Sequence, residues 1–171
     1  MLKIKPPDYK FCPFCGKKLT IRVEEEHERK FCESCKWTYY PNVACAAAGV
    51  IIKDGKALMV KRARDPFKGT WMFPAGFVEF GEDPKEGLER EIKEETGLKV
   101  GEMKFIDIFQ AGDDPRNPGH FVFFYLIKKF RGKLKINKKE NQDISWFDIK
   151  NPPRIGWEWH KYVMKLLQKE L

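Results

Sequence analysis

GFVEFGEDPKEGLEREIKEETGL, residues 76–98, is the stretch of sequence that best predicts the fold. Asp83 is a favourable N-cap, and Pro84 would occupy the first helical position, where a proline costs no hydrogen bond. Gly97 is typical of the residue that follows the end of a helix. These signals predict a helix over about 84–96.

Three carboxylates would share one face of that helix, because Glu91, Glu94 and Glu95 are spaced i, i+3 and i+4. Like charges at this spacing destabilise a helix unless a cation lies between them. Mg²⁺ prefers oxygen ligands of this kind. The alternative is a solvated acidic face balanced by nearby lysine and arginine side chains. The preceding loop favours a metal site, because it adds the Glu82 carboxylate and Gly76, whose backbone can approach a ligand closely.

The spacing of these residues resembles the Nudix box at every fixed position. Gly76 is followed after five residues by Glu82, and after seven more by REIKEETGL, residues 90–98. The resemblance implies an enzyme that hydrolyses nucleoside diphosphates linked to another moiety, with Mg²⁺ or Mn²⁺. It also implies an α+β fold, the Nudix α/β/α sandwich.

The resemblance further implies roles for particular residues. The metal would be held by Glu91, Glu94, Glu95 and the Gly76 carbonyl, with Glu82 counted in the same site. Arg90 would orient a carboxylate of the loop through a charge-assisted hydrogen bond. The residue that takes the proton from the attacking water is left open between Glu91 and Glu140, six residues before Trp146.

Four of the five cysteines form two C-x₂-C pairs near the N-terminus, Cys12/Cys15 and Cys32/Cys35. The 16 residues between the pairs are typical of a structural zinc site. Disulfides are the alternative, but we expect a reducing compartment. Cys45 lies in an apolar stretch and is interpreted as a buried small residue.

Length and composition favour one ordinary domain with a small appendage. The chain has 171 residues, 42% of them hydrophobic, which excludes a disordered protein. We predict a zinc ribbon over residues 1–40 and a Nudix hydrolase domain over 41–171. No apolar run approaches the roughly 18–20 residues that span a bilayer, and no signal peptide is evident, so we expect a cytoplasmic protein without a membrane partner.

Alternating and apolar segments predict the remaining elements. Lys53–Lys56 is expected to form a hairpin turn, and residues 157–171 an amphipathic helix. Strands are predicted over residues 43–52, 57–61, 99–110, 120–130 and 144–149.

The substrate has to be predicted from residues outside the box. Asp114-Pro115-Arg116 followed by His120 resembles a loop of ADP-ribose pyrophosphatases, although an ordinary proline turn is the alternative. We therefore predict hydrolysis of ADP-ribose to AMP and ribose 5-phosphate.

Several alternatives stay open. They are removal of pyrophosphate from RNA 5′ ends, hydrolysis of FAD or NADH, and a sensor that binds a nucleotide without cleaving it. A net charge of +8 would suit nucleic acid, but the lysines are interleaved with glutamates, so a small-molecule partner is favoured. Both a monomer and a homodimer are compatible with the resemblance.

Overall fold

The structure, a computed structural model, describes residues 8–170. The chain divides between Val43 and Ala44 into two units. The first unit contains β1 (Thr20–Glu24), β2 (His27–Cys32) and β3 (Trp37–Tyr39). These strands form one antiparallel sheet in the order β1-β2-β3. The predicted domain boundary after residue 40 stays a prediction.

The second unit contains a seven-stranded mixed sheet and two helices. Its elements are β4 (Cys45–Lys53), β5 (Lys56–Arg62), β6 (Trp71–Met72), β7 (Ala75–Phe77), α1 (Pro84–Thr96), β8 (Lys99–Val100), β9 (Met103–Gln110), β10 (Phe121–Ile127), β11 (Phe130–Arg131), β12 (Asn141–Asp148) and α2 (Glu158–Glu170). The main path of the sheet is β12-β5-β4-β10-β9, with β6 beside β5 and β7 beside β4. Strands β4 and β10 are parallel, and the other pairs are antiparallel.

Helix α1 has the bounds that its capping signals predict. The Asp83 side chain accepts hydrogen bonds from the backbone amides of Lys85 and Glu86, at 2.7 and 3.1 Å. The Glu86 carboxylate in turn accepts one from the Asp83 amide at 3.1 Å, which completes a capping box. Gly97 ends the helix with a φ of 74°, in the left-handed region that glycine adopts without strain.

The two helices cover opposite faces of the sheet. Successive residues of β4 alternate between the faces, so Ala47 and Ile51 pack with Leu88 and Ile92 of α1. Residues on the other face of β4, including Val50, pack with α2 instead. The resulting three layers confirm the predicted α+β sandwich.

Several details of the prediction are wrong. Residues 120–130 form two strands, β10 and β11, rather than one. Residues 99–110 form two strands, β8 and β9, because Gly101 donates to the Lys129 carbonyl and interrupts the run. Strand β12 begins at Asn141 rather than at residue 144, because that polar side chain is bonded inside the fold. Cys45 is half-buried rather than buried.

Among the described residues, no helix is long and apolar enough to cross a bilayer.

His160 of α2 is buried in the core and uncharged there. Its Nδ1 accepts a hydrogen bond from the Phe73 amide at 3.2 Å, and its ring stacks on that of Phe73. Burial, reinforced by the positive charge of Arg62, lowers the pKa of His160 from 6.5 to about 3. The folded state therefore disfavours the protonated ring.

This burial predicts a loss of stability in mild acid. The contribution of neutral His160 to the free energy of unfolding is complete above pH 6.5, its pKa in the unfolded chain. This contribution falls by about 1.4 kcal/mol per pH unit as the pH drops towards 3. In His160→Asn the amide oxygen can still accept from Phe73 but cannot titrate. Between pH 6.5 and about pH 5, we expect the free energy of unfolding of the wild type to fall by about 2 kcal/mol relative to that of this variant.

Urea unfolding of both proteins at several pH values, without divalent metal, measures this difference. Glu95, whose pKa is raised in the folded state, changes the stability in the opposite sense over the same range, but it does so equally in both proteins. A constant difference between the two proteins would mean that His160 takes up its proton at the same pH in the folded and in the unfolded chain.

Candidate functional site

The Gly76 backbone lies directly against the Glu91 carboxylate. A Cβ atom built on Gly76 would lie 2.0 Å from the carboxyl carbon of Glu91, so a larger residue fits this position only if the Glu91 side chain moves away. This contact brings β7 next to α1 at Glu91, the first of the three carboxylates of the acidic face. Among the described residues, the cysteines of the first unit are the group that lies close enough together to hold a metal ion, so metal binding by the acidic face stays a prediction.

Glu95 is the most enclosed carboxylate of the acidic face. Its Oε2 accepts a hydrogen bond from the Ala75 amide at 3.0 Å, and its Oε1 accepts one from the Asn141 side chain at 3.1 Å. Burial raises the pKa of Glu95 to about 8 despite these two bonds. A cation bound next to it would restore the charged form.

Arg90 holds the loop and the acidic face together. Its Nε and Nη2 donate to the two oxygens of Glu82 at 2.8 and 3.0 Å, and its Nη1 donates to Glu91 at 2.7 Å. The same guanidinium reaches the Phe77 carbonyl at 3.0 Å. These bonds lower the pKa of Glu82 to about 2, so this carboxylate is ionised. Its two hydrogen bonds with Arg90 favour a role in orienting the Arg90 side chain. Metal ligation by Glu82 stays a prediction.

Glu94 and Glu140 complete the acidic neighbourhood. The Glu94 side chain is 50% exposed, with Arg90 Nη1 3.8 Å away. Glu140 accepts a hydrogen bond from the Asn137 side chain at 3.2 Å and is half-buried. Burial raises the pKa of Glu91 against the effect of Arg90, and the charges of Glu94 and Glu140 raise it further.

A cavity opens beside Ala75 and Gly76 and encloses about 520 Å³ of empty space, part of it open to solvent. Arg62 lines it and donates to the Pro66 carbonyl at 2.8 Å, while its guanidinium lies over the Trp157 ring. Among the described residues, no carboxylate oxygen lies within 4 Å of Arg62, so its charge is available to an anion.

The loop over residues 111–119 forms another part of the cavity wall. Asp114 is buried and binds the Arg116 guanidinium through both of its oxygens, at 2.9 and 2.7 Å. Asp113 accepts from the Glu158 amide at 2.9 Å and so caps the start of α2. The loop that resembles ADP-ribose pyrophosphatases therefore faces the same cavity as Gly76.

Sequence reasoning missed several residues of this region. Asn141, which orients Glu95, occurs in a polar run with no signal that separates it from its neighbours. Trp157 and Trp159 line the cavity, but the sequence indicates only that they begin an amphipathic helix.

The four cysteines of the first unit come together as predicted. Their sulfur atoms all lie within 4.8 Å of one another, and the Sγ atoms of Cys15 and Cys32 are 3.6 Å apart. Tetrahedral zinc with Zn–S bonds of about 2.3 Å places its sulfurs about 3.8 Å apart, so the group fits this metal. A hydrogen bond from the Cys35 amide lowers the pKa of Cys32 to about 7, whereas the Cys15 thiol raises that of Cys35 to about 12, so without metal the protein favours the thiolate at Cys32 but not at Cys35.

Family models match both units. A model described as "NUDIX domain" matches residues 44–167, and one described as "Nudix N-terminal" matches residues 10–41. The chain belongs to the Nudix family. It is a pyrophosphohydrolase that depends on a divalent metal ion, with a cysteine cluster positioned for zinc.

Similar proteins agree with this assignment. An ADP-ribose pyrophosphatase of Methanocaldococcus jannaschii is 33% identical over 150 residues, which cover 86% of this chain and 84% of the relative. The NAD-capped RNA hydrolase NudC of Vibrio atlanticus is 28% identical over 148 residues, but this Nudix chain spans only 52% of its length. The crystal structure of a NUDIX hydrolase from Nitrosomonas europaea shares the fold, with a TM-score of 0.73 and 23% identity over 94% of this chain and 92% of that one.

Proposed function

We propose that this enzyme hydrolyses ADP-ribose to AMP and ribose 5-phosphate with Mg²⁺ or Mn²⁺. The observation that carries the proposal is the position of the cavity. It opens beside Gly76, whose backbone lies against the acidic face, and it contains the unpaired cation Arg62. The M. jannaschii relative, which is similar over most of its length, bears the name of this activity.

We assign the metal to Glu91, Glu94, Glu95 and the Gly76 carbonyl. A divalent cation bound there would neutralise the diphosphate and lower the pKa of the attacking water. Arg90 fixes the Glu91 carboxylate, and the Ala75 amide and Asn141 fix that of Glu95. The chain thus holds two of the carboxylates in place before any substrate arrives, which reduces the entropy lost on binding.

Arg62 would bind a phosphoryl oxygen of the substrate. A guanidinium shielded from water and without a carboxylate partner gains more from an anion than a solvated one does. The apolar rings of Trp157 and Trp159 give the rest of the cavity the character of a site for a nucleoside.

The general base is Glu91 or Glu140, and Glu140→Gln separates the two. If Glu140 accepts the proton, we expect kcat to fall about 100-fold or more, the usual contribution of a general base. Steady-state kinetics at saturating Mg²⁺ measure this loss, and the exposed residue Glu102 provides the matched control Glu102→Gln. An unchanged kcat would leave Glu91 as the base.

A substrate panel, in which the hydrolysis products are separated by chromatography and quantified, tests the proposed substrate. It would compare ADP-ribose, FAD, NADH, NAD-capped RNA and 5′-triphosphorylated RNA with Mg²⁺ at alkaline pH, with Glu94→Gln as the blank. We expect the highest kcat/KM with ADP-ribose. A higher value with any other substrate would contradict the proposal.

NAD-capped RNA is the second candidate substrate. The V. atlanticus relative bears that name, although this chain spans about half of its length. If RNA is the substrate, kcat/KM should fall steeply with salt, because phosphate contacts outside the site release counterions. A salt dependence no steeper than that with ADP-ribose would argue against it.

A further inference from the structure

The ring of His120 is held in one tautomer. Its Nδ1 lies 2.8 Å from the carbonyl oxygen of Asn117. Because a carbonyl oxygen can only accept a hydrogen bond, Nδ1 carries the hydrogen. In the neutral ring Nε2 is then an acceptor.

Nε2 of His120 faces the cavity. His120 is 6% exposed and lines the cavity together with Gly76 and Arg62. Over residues 8–170, no hydrogen bond to Nε2 is formed, and no enclosed side-chain nitrogen or oxygen lacks a partner. It follows that Nε2 is not enclosed by protein but is open to the cavity, with its lone pair free.

The neighbouring polar groups do not offer the same chemistry. The Asp114 carboxylate is occupied by Arg116, and the Asp113 Oδ2 oxygen caps α2. Arg62 can only donate hydrogen bonds. His120 Nε2 is therefore a neutral side-chain acceptor of the cavity wall, and it is suited to a hydroxyl or amine rather than to a phosphate.

The position of His120 favours a hydroxyl close to the diphosphate. Its ring centroid lies 5.4 Å from that of Phe77, the residue next to Gly76. A ligand group that reaches Nε2 thus lies close to the acidic face, where the diphosphate is to be cleaved. In a nucleoside diphosphate derivative, the hydrogen-bond donors nearest to the diphosphate are the hydroxyls of its ribose.

We infer that His120 Nε2 accepts a hydrogen bond from a ribose hydroxyl of the substrate and thereby selects ribose over deoxyribose. The inference rests on the proposed function and deepens it, because it names a residue that determines specificity. A buried acceptor left without its donor costs more than a hydrogen bond to water, so a substrate without this hydroxyl is disfavoured.

Two substitutions test the roles of the two ring nitrogens separately. In His120→Asn the amide nitrogen can still donate to the Asn117 carbonyl, but nothing replaces the Nε2 acceptor. In His120→Gln the longer side chain places its oxygen near the position of Nε2, so the acceptor is retained. The first variant therefore tests the inference, and the second is its control.

The experiment uses the full-length enzyme with Mg²⁺ at alkaline pH. Its substrates are ADP-ribose and analogues that each lack one ribose hydroxyl. For the wild type we expect one analogue to have a kcat/KM about 10-fold lower than ADP-ribose. His120→Asn should hydrolyse ADP-ribose and that analogue equally well, whereas His120→Gln should keep the preference. A purely structural role for His120 would lower both activities together and leave the preference unchanged.

The possible outcomes distinguish the two proposals. A wild type that does not cleave ADP-ribose contradicts the proposed function alone. The wild type and the two His120 variants are then compared on the ribonucleoside diphosphate derivative that the enzyme prefers and on the deoxy analogues of that substrate. A wild type that cleaves every analogue equally, or a His120→Asn variant that keeps the preference, overturns the role of His120.

Discussion

Glu94→Gln is expected to lower kcat by at least about 100-fold, which corresponds to about 2.7 kcal/mol of transition-state stabilisation. Glu94 belongs to the acidic face, and its side chain is half exposed, so its carboxylate is free to bind a metal. The amide that replaces it carries no charge and is a weaker ligand for a hard cation. Steady-state kinetics with ADP-ribose over a range of Mg²⁺ concentrations measure the loss.

The same substitution should leave the fold intact. Arg90, 3.8 Å from Glu94, keeps its shorter bonds to Glu82 and Glu91, so Tm should change little. Without metal, the removal of one of three like charges offsets the lost contact between Glu94 and Arg90. The exposed residue Glu89 on the same helix provides the matched control, Glu89→Gln, which should retain wild-type kcat. Full activity of Glu94→Gln would remove Glu94 from the metal site.

Local signals predicted the acidic helix well. The capping box of Asp83 and Glu86 lies within four residues, and the left-handed Gly97 lies directly after the last turn. The energies of such caps depend on near neighbours alone, so they can be predicted from a short stretch of sequence. The shared face of Glu91, Glu94 and Glu95 follows from helical geometry in the same way.

The surroundings of the helix depend on contacts between distant parts of the chain. Asn141 binds Glu95 across 46 positions, and nothing near either residue indicates the pair. The cavity combines β5, β7, the loop over residues 111–119 and the start of α2. His120 is buried next to Phe77 because β7 and β10 both flank β4. Only the pairing of the strands brings these side chains together, and a one-residue slip would reverse their faces.

The zinc ribbon is a case in which the chemistry of the residues outweighs the local pattern. In β1 the apolar residues Ile21 and Val23 alternate with polar ones but stay exposed, and β2 is buried only at Phe31 and Cys32. The cysteine spacing nevertheless predicted that four sulfurs would come together, because a metal site fixes the approach of its ligands.

Removal of the zinc is expected to unfold the first unit. Cys12, Phe31 and Cys32 are its buried apolar residues among those that the structure describes, and two of the three are cysteines of the cluster. One buried phenylalanine contributes about 2 kcal/mol, far less than the conformational entropy lost when the ribbon is ordered. The free energy of zinc binding must supply most of the difference, as in other small metal-dependent domains.

Cys32→Ser tests this dependence, and Cys45→Ser is its matched control. Cys32 lies at the centre of the cluster, whereas Cys45 begins β4 in the second unit. We expect the first variant to lose its zinc, measured by atomic absorption, and the amide NMR signals of residues 8–43 to lose their dispersion. The second unit has its own core around β4 and both helices, so its signals should remain dispersed in both variants. If the ribbon signals of zinc-free Cys32→Ser stay dispersed, the fold of the first unit does not depend on the metal, and residues outside the cysteine cluster must hold its three strands together.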